Sequence, residues 1–317
     1  MTRLKVVEDA PDRRTRSDAP VYSRTMPGNV CRERARVGEC MLDAKLSLVL
    51  PAYNEAENIE AVVDRVLEVL PQVVRDFEIV IVDDGGSDGT GAIIDRLAES
   101  QPQVRAVHHD VNQGYGGALR SGFAAADGDL IMFMDADRQF DISDITALLP
   151  YVGHYDIIAG YRIKRSDALY RKIYAGVFEL TVWTLFGLRL HDVDCAFKIY
   201  DGDLLRSLDL TMPGALINTE MLALSRQRGA TVVQVGVHHY PRQAGVSSGG
   251  SPKVVFRAMG ETLRLWARLR RLPKPEPLHE AASEPTSEKR GPNPFAIFAL
   301  IGAVVSLGLF LVLRKRG

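Results

Sequence analysis

Along the chain, short apolar runs alternate with longer stretches whose apolar residues recur at helical spacing. The runs "LSLVLP" (46–51), "FEIVIVDD" (77–84), "VRAVHH" (104–109), "LIMFM" (130–134) and "DIIAG" (156–160) have the length and the turn-bounded ends of buried strands. "CAFKIY" (195–200) reads as one more. Between the first two, "EAENIEAVVDRVLEVL" from Glu55 opens with acidic residues and carries an apolar stripe, which predicts a helix. Helices also follow "GGSDGT", near 90–99, and "NQGYGGALRSGFAAA". Strands alternating with helices at this spacing predict an α/β fold, a Rossmann-like and mostly parallel sheet with helices on both faces. Ligands of such sheets gather beyond the carboxyl ends of the strands.

Three polar clusters fall at that rim: "PAYNE" from Pro51, Asp83-Asp84-Gly85, and Asp135-Ala136-Asp137. The D-x-D pattern occurs four times, so context has to separate a ligand pair from acidic loop. Asp127/Asp129 precedes its strand and reads as a turn; Asp201/Asp203 reads as a turn or helix start. Asp192/Asp194 precedes the "CAFKIY" strand and is within reach of the rim. Asp135 and Asp137 follow an apolar strand, and if that strand persists to 137 both carboxylates share one face. Hard oxygens in such a pair suit Mg²⁺ or Mn²⁺, with Gln139 as a neutral third ligand. The rival reading has Asp141 or Ser143 capping the next helix and the other acids in water. Asp84 is a candidate acceptor for a base or ribose, and the amides of the Gly-rich turns are candidate phosphate donors. Neither turn matches a dinucleotide or P-loop fingerprint.

The ends of the chain depart from this pattern. Residues 1–44 are polar and Arg-rich and read as a disordered arm. After a domain over 45–250, residues 251–272 carry Trp266 among arginines and suit an amphipathic juxtamembrane helix. The aromatic stretch 168–190 is either a second interfacial helix or core. A linker (273–293) leads to 294–313, twenty residues without a charge, ahead of a basic tail at 314–317. At about 1.5 Å per residue such a helix spans roughly 30 Å, a bilayer core. Basic residues lie on both sides of it, so charge does not orient the span. A net charge of −1 gives no case for nucleic acid, and three scattered cysteines give none for disulfides or zinc. Arg162, Arg165, Arg171, Lys172 and Arg242 flank the acidic rim, Arg242 on a Gly-rich loop able to close over a phosphate. The pairs His108-His109 and His238-His239 lack metal spacing and read as structural.

Taken together, "PAYNE", "VDDGGSDGT", "NQGYGGALRSG", "MDADRQF", "DVDCAFKIY" and "YPRQAGVSSGGSPK" resemble the inverting family-2 glycosyltransferases of GT-A fold. The nearest group is the dolichyl/polyprenyl-phosphate sugar synthases, and the likeness runs over about 46–260 in the family's order. It implies a nucleotide-sugar donor, a Mg²⁺ or Mn²⁺ ion, and a polyprenyl phosphate acceptor at the cytoplasmic face of a membrane. It makes Pro51, Ala52, Tyr53, Glu55 and Asp84 donor-binding, with Asp135, Asp137 and Gln139 on the metal. Arg162, Arg171 and Arg242 would grip phosphates, Arg242 with a catalytic role. Asp192 is the candidate general base should one be needed, with Glu220 behind it. Gly86 and Arg138 depart from the family pattern, and one span is fewer than many relatives carry. Transfer to a saccharide or glycolipid, and a non-catalytic membrane-tethered scaffold that binds nucleotide-sugar, stand as alternatives; a homo-oligomer is compatible with each.

Overall fold

The computed structural model describes residues 6–7, 41–163, 169–242, 252–273, 275, 276 and 278, with the side chains of 6, 7, 169–175, 177 and 252–259 outside that set. Most of the arm, most of the linker and the apolar segment 294–313 therefore lie outside the described residues. Among the described residues no helix is long and apolar enough to cross a membrane.

The chain divides into two compact units, Met1–Arg165 with His191–His279, and Ser166–Leu190 with Glu280–Gly317. The first is built on an eight-stranded sheet. In chain order its strands are β1 (Val6–Val7), β2 (Leu46–Ala52), β3 (Phe77–Asp83), β4 (Val104–His108), β5 (Leu130–Met134), β6 (Ile157–Arg162), β7 (Phe197–Asp201) and β8 (Val232–Val237). Their order across the sheet is β1-β8-β6-β7-β5-β2-β3-β4. All pairings are parallel except the two made by β7, which runs antiparallel to both β5 and β6. Val6–Val7, inside the segment expected to be a disordered arm, pairs with Val232–Val233 of β8.

Helices α1 (Ile59–Val69), α2 (Thr90–Ser100), α3 (Tyr115–Ala125), α4 (Ile145–Leu148), α6 (Gly202–Arg206), α7 (Ile217–Gln227) and α8 (Pro252–Arg271) complete this unit, while α5 (Leu169–Phe186) belongs to the second. In α1 the residues Ile59, Val62, Val63, Val66 and Val69 are buried, the spacing of one helical face. β5 is apolar throughout, and β2 is apolar apart from Ser47, because both of their faces are covered; Leu48, Leu50, Met132 and Phe133 are wholly buried. Each such side chain contributes about 1.5–3 kcal/mol of transfer free energy. α8 is amphipathic as expected: Thr262, Leu265 and Leu269 are buried, Arg264, Arg270 and Arg271 exposed.

The sheet's two ends differ in polar chemistry. At the amino ends Ser47 Oγ donates to Glu78 at 2.5 Å, Gly128 N donates to Ser47 Oγ, and Lys45 pairs with Asp127. Asp127 and Asp129 are thus turn residues, as the sequence suggests, remote from the opposite rim. Asp201 caps α6 by accepting from Leu204 N, which accounts for a second D-x-D pair.

Candidate functional site

β5 stops at Met134, so strand alternation does not set the direction of Asp135 and Asp137. The chain instead turns sharply, with Arg138 in the left-handed region at φ 62°. Such a conformation is strained for a non-glycine residue and is seen at sites where surrounding contacts enforce it. Those contacts are visible: Gln139 N donates to Asp137 Oδ1 at 3.0 Å, Tyr240 N to Gln139 O at 2.8 Å, and Gln139 Nε2 to Tyr240 O at 3.1 Å. With its nitrogen committed, the Gln139 amide keeps its oxygen as the ligand atom. Asp141 caps the following turn by accepting from Ser143 N, so the helix-cap reading holds for Asp141 alone.

Asp137 is buried, and Asp135 stands next to it in a low-dielectric setting. Burial first, then the Asp137 charge, push the Asp135 carboxyl up to about 7, while Tyr115, Lys198 and Arg162 pull the other way. Two like charges held this close call for a cation. Arg242 supplies one here: its Nη2 lies 3.1 Å from Asp137 Oδ2 and 3.0 Å from Glu55 Oε1. Glu55 is itself raised by burial, against the bonds from Asn58 and Arg242. The donor set fits a hard divalent ion, with Asp135, Asp137 and the Gln139 oxygen as holders. Among the described residues no group of three or more His, Cys, Asp or Glu side chains is assembled for a metal, so the remaining ligands would come from substrate oxygens.

The "PAYNE" segment leaves β2 beside this cluster. Ala52 is buried and accepts a hydrogen bond from Asp84 N, Pro51 is half-buried, and Tyr53 is half exposed at 50%. Asn54 is the second non-glycine residue at positive φ, 55°, and its Oδ1 accepts from Ser87 N. The carboxylate of Asp84 faces inward. Its Oδ1 accepts from His109 Nδ1 at 2.7 Å and Gln113 N at 2.8 Å, and its Oδ2 from Gly114 N at 2.9 Å. His109 Nε2 in turn meets Ser121 Oγ at 2.8 Å. Asp84 therefore organises the loop 109–114 from within.

The Gly-rich turns likewise spend their amides inside the protein. Gly86 N donates to Asp83, Thr90 N to Asp88, and Gly116 N to Pro213 O. A Cβ at Gly116 would overlap the Met212 carbonyl, so this glycine exists for the close approach of the 212–213 backbone.

A second cluster joins two residues that the sequence could only treat separately. Arg162 Nε and Nη2 bind Asp192 Oδ2 and Oδ1 at 2.5 and 2.8 Å. Burial alone would lower Arg162, but the Asp192 bonds outweigh it and hold the guanidinium above its usual range. Paired in this way, Asp192 is poorly set to accept a proton, and its evident work is to orient Arg162. Glu220 is fully buried, accepting from Thr211 N, Thr211 Oγ1, Met212 N and Arg268 Nη1. It anchors α8 to the loop 209–212. The backbone of Arg171 is in α5, and its side chain lies outside the described residues. Sequence reasoning passed over Lys198, Tyr115 and Asn218; a lysine inside the apolar "CAFKIY" run was the signal for the first.

With this geometry in hand, the family model described as glycosyl transferase family 2 matches residues 47–208, just over half of the chain. The chain belongs to glycosyl transferase family 2. Among family members, an undecaprenyl-phosphate 4-deoxy-4-formamido-L-arabinose transferase from Photorhabdus laumondii is 28% identical over 214 residues, 67% of this chain and 65% of that protein. One of the same description from Yersinia pestis is 29% identical over 206 residues, 64% and 62% respectively. The chain thus spans somewhat under two thirds of the length of these relatives. Among solved structures, glucosyl-3-phosphoglycerate synthase from Mycobacterium tuberculosis aligns with TM-score 0.56 and 22% identity, covering 75% of this chain and 86% of that one. A mannosyltransferase from Pyrobaculum calidifontis, solved with GDP-mannose and Mn²⁺, aligns with TM-score 0.51 and 20% identity, covering 75% and 68%. These structural likenesses establish the shared GT-A glycosyltransferase fold.

Proposed function

We propose that this family-2 glycosyltransferase moves a sugar from a nucleotide-diphospho-sugar to a polyprenyl phosphate, with inversion, at a membrane surface. The observation that carries the reading is the pair of charge clusters at one rim: an acidic one (Asp135, Asp137, Glu55) closed by Arg242, and a cationic one in which Asp192 orients Arg162. The first suits a metal-bound diphosphate, the second an anionic acceptor. The names of the undecaprenyl-phosphate relatives and the Mn²⁺ and GDP-mannose in the Pyrobaculum structure support it.

Asp135, Asp137 and the Gln139 oxygen would hold Mg²⁺ or Mn²⁺, which supplies charge neutralisation to the departing diphosphate. Arg242, released from Asp137, then grips that diphosphate; Glu55, Pro51, Ala52 and Tyr53 border the nucleoside side, with Asp84 setting the loop beneath. Arg162 would face the acceptor phosphate, and the family resemblance adds Arg171 as a further phosphate-binding residue. A phosphate oxygen is already anionic near neutral pH, so attack on the anomeric carbon needs no strong base. This agrees with Asp192 being engaged by Arg162. A saccharide hydroxyl would need a positioned base, which an acceptor already anionic does not. The segment 294–313 would anchor the catalytic unit at the membrane.

The test is transfer of radiolabelled sugar from UDP- and GDP-sugars into extracted lipid by membranes bearing the protein, with Mn²⁺ or Mg²⁺. Mild-acid-labile lipid label that disappears in Asp137→Asn supports the reading. Label recovered only in water-soluble saccharide overturns it.

A further inference from the structure

Lys198 is fully buried in the middle of the sheet. It stands opposite Phe133 in the antiparallel β5–β7 ladder, one residue back from the end of β5, and its ammonium lies 5.4 Å from the Phe133 ring centroid. Nζ donates to Val193 O at 3.0 Å and to Cys195 O, with Asn218 Oδ1 at 3.4 Å. All three acceptors are neutral. Taking an ammonium out of water costs several kcal/mol even after relaxation, so a neutral donor would clamp this turn at lower cost. The charge is offset at longer range: Asp192 and Asp194 act on Lys198, and Lys198 in turn acts on Asp135.

The two carbonyls bracket the turn 193–195, which begins immediately after Asp192. Asp192 holds Arg162 through two bonds and is itself nearly inaccessible. A line of contacts therefore runs from Lys198 through the turn to Asp192 and on to the Arg162 guanidinium. It exists because β7 enters antiparallel: that direction brings the chain back past the tip of β5 just before Lys198.

We propose that Lys198 is a positioning residue for the acceptor, clamping the 193–195 turn so that the Asp192–Arg162 pair presents its guanidinium to the acceptor phosphate. This inference rests on the polyprenyl-phosphate reading above and assigns that reading a residue it did not contain. The clamp acts on the acceptor side of the rim only. Removing a cation from behind Asp135 leaves the acidic cluster more negative, so its affinity for a divalent ion does not fall.

The experiment uses the full chain in detergent, as wild type, Lys198→Met and Lys198→Gln. Methionine fills a similar unbranched volume but leaves the Val193 and Cys195 carbonyls without this donor, so the melting temperature of the variant is read alongside. Glutamine keeps one donor for the turn and serves if the methionine variant does not fold. Three quantities are read: Mn²⁺ affinity by electron paramagnetic resonance, binding of farnesyl phosphate by calorimetry, and KM for donor and acceptor. In Lys198→Met we expect Mn²⁺ to bind at least as tightly as in wild type. Farnesyl phosphate binding and acceptor kcat/KM fall about tenfold, donor KM stays within about twofold, and Lys198→Gln falls between. An unchanged acceptor KM overturns the proposal, as does parallel loss of Mn²⁺, donor and acceptor binding, which would make Lys198 a general support of the fold. Wild type that binds Mn²⁺ but no farnesyl phosphate overturns the acceptor assignment itself, and this inference with it.

Discussion

Arg242 Nη2 lies 3.1 Å from Asp137 Oδ2 and 3.0 Å from Glu55 Oε1, so one guanidinium sits where two rim carboxylates converge. A divalent ion and Arg242 compete for the same Asp137 oxygen. Arg242→Met removes the competitor and should raise Mn²⁺ affinity about two- to fivefold, about 0.4–1 kcal/mol of charge interaction in a partly exposed site. The same variant should lose transfer activity by about two orders of magnitude, since the cation for the diphosphate is gone. Mn²⁺ titration and kcat on one preparation read both effects, and weaker Mn²⁺ binding in Arg242→Met would contradict the competition.

Metal binding should also depend on pH through Asp135. Its carboxyl is pushed up to about 7 by burial and by Asp137, so protons compete with the ion below that value. Mn²⁺ affinity should fall about tenfold per pH unit below 7 and level off above it, with Asp135→Asn binding weakly at every pH. The effect on metal-free stability has the opposite sign. The folded value lies above the ordinary 3.8, so the contribution of Asp135 is fully present below about pH 4 and is lost as pH rises through about 7. Denaturant titrations with and without Mn²⁺ measure both.

The Arg162–Asp192 pair is nearly buried, with side-chain exposures of 19% and 4%. Asp192→Asn leaves a guanidinium without its counter-charge and should destabilise by about 3 kcal/mol, whereas Arg162→Met with Asp192→Leu should cost clearly less. Acceptor KM should rise in both. Donor binding measured without acceptor should stay near wild type, and a loss that falls on acceptor KM rather than on kcat alone separates orientation of Arg162 from a proton-abstracting role of Asp192.

Gly116→Ala places a methyl group on the Met212 carbonyl and cannot be absorbed without moving the 212–213 backbone. A loss of about 2–4 kcal/mol is expected. Gly176→Ala, where a Cβ meets nothing within 4 Å, is the control. Thermal melts of both variants test the comparison, and equal melting temperatures would refute the packing role.

Much of the catalytic rim was legible in the chain. "PAYNE", Asp84, Asp135, Asp137 and Gln139 follow apolar strands, and strand ends of a parallel sheet converge at one rim whatever the details of packing. Pairing was not legible. Asp192 and Arg162 are thirty residues apart, and Arg242 lies more than a hundred beyond Asp137, so their ion pairs depend on how strands are ordered across the sheet. The direction of β7 was hidden for the same reason, since an apolar strand looks alike read parallel or antiparallel. The glycines of "NQGYGGALRSG" are ambiguous in the same way: a phosphate cradle and a tight backbone crossing demand the same small residue, and the position of Met212 and Pro213 supplies a packing reason for Gly116.

By itself, then, the sequence determined the α/β alternation and the acidic rim, because periodicity and the placing of polar residues at strand ends are local properties. The tertiary structure alone decided which charges meet. It put Arg242 against Asp137, bound Asp192 to Arg162, turned Asp84 inward to its loop, and buried Lys198 behind the tip of β5. Electrostatic roles depend on distance and burial, and both come from residues far apart in the chain.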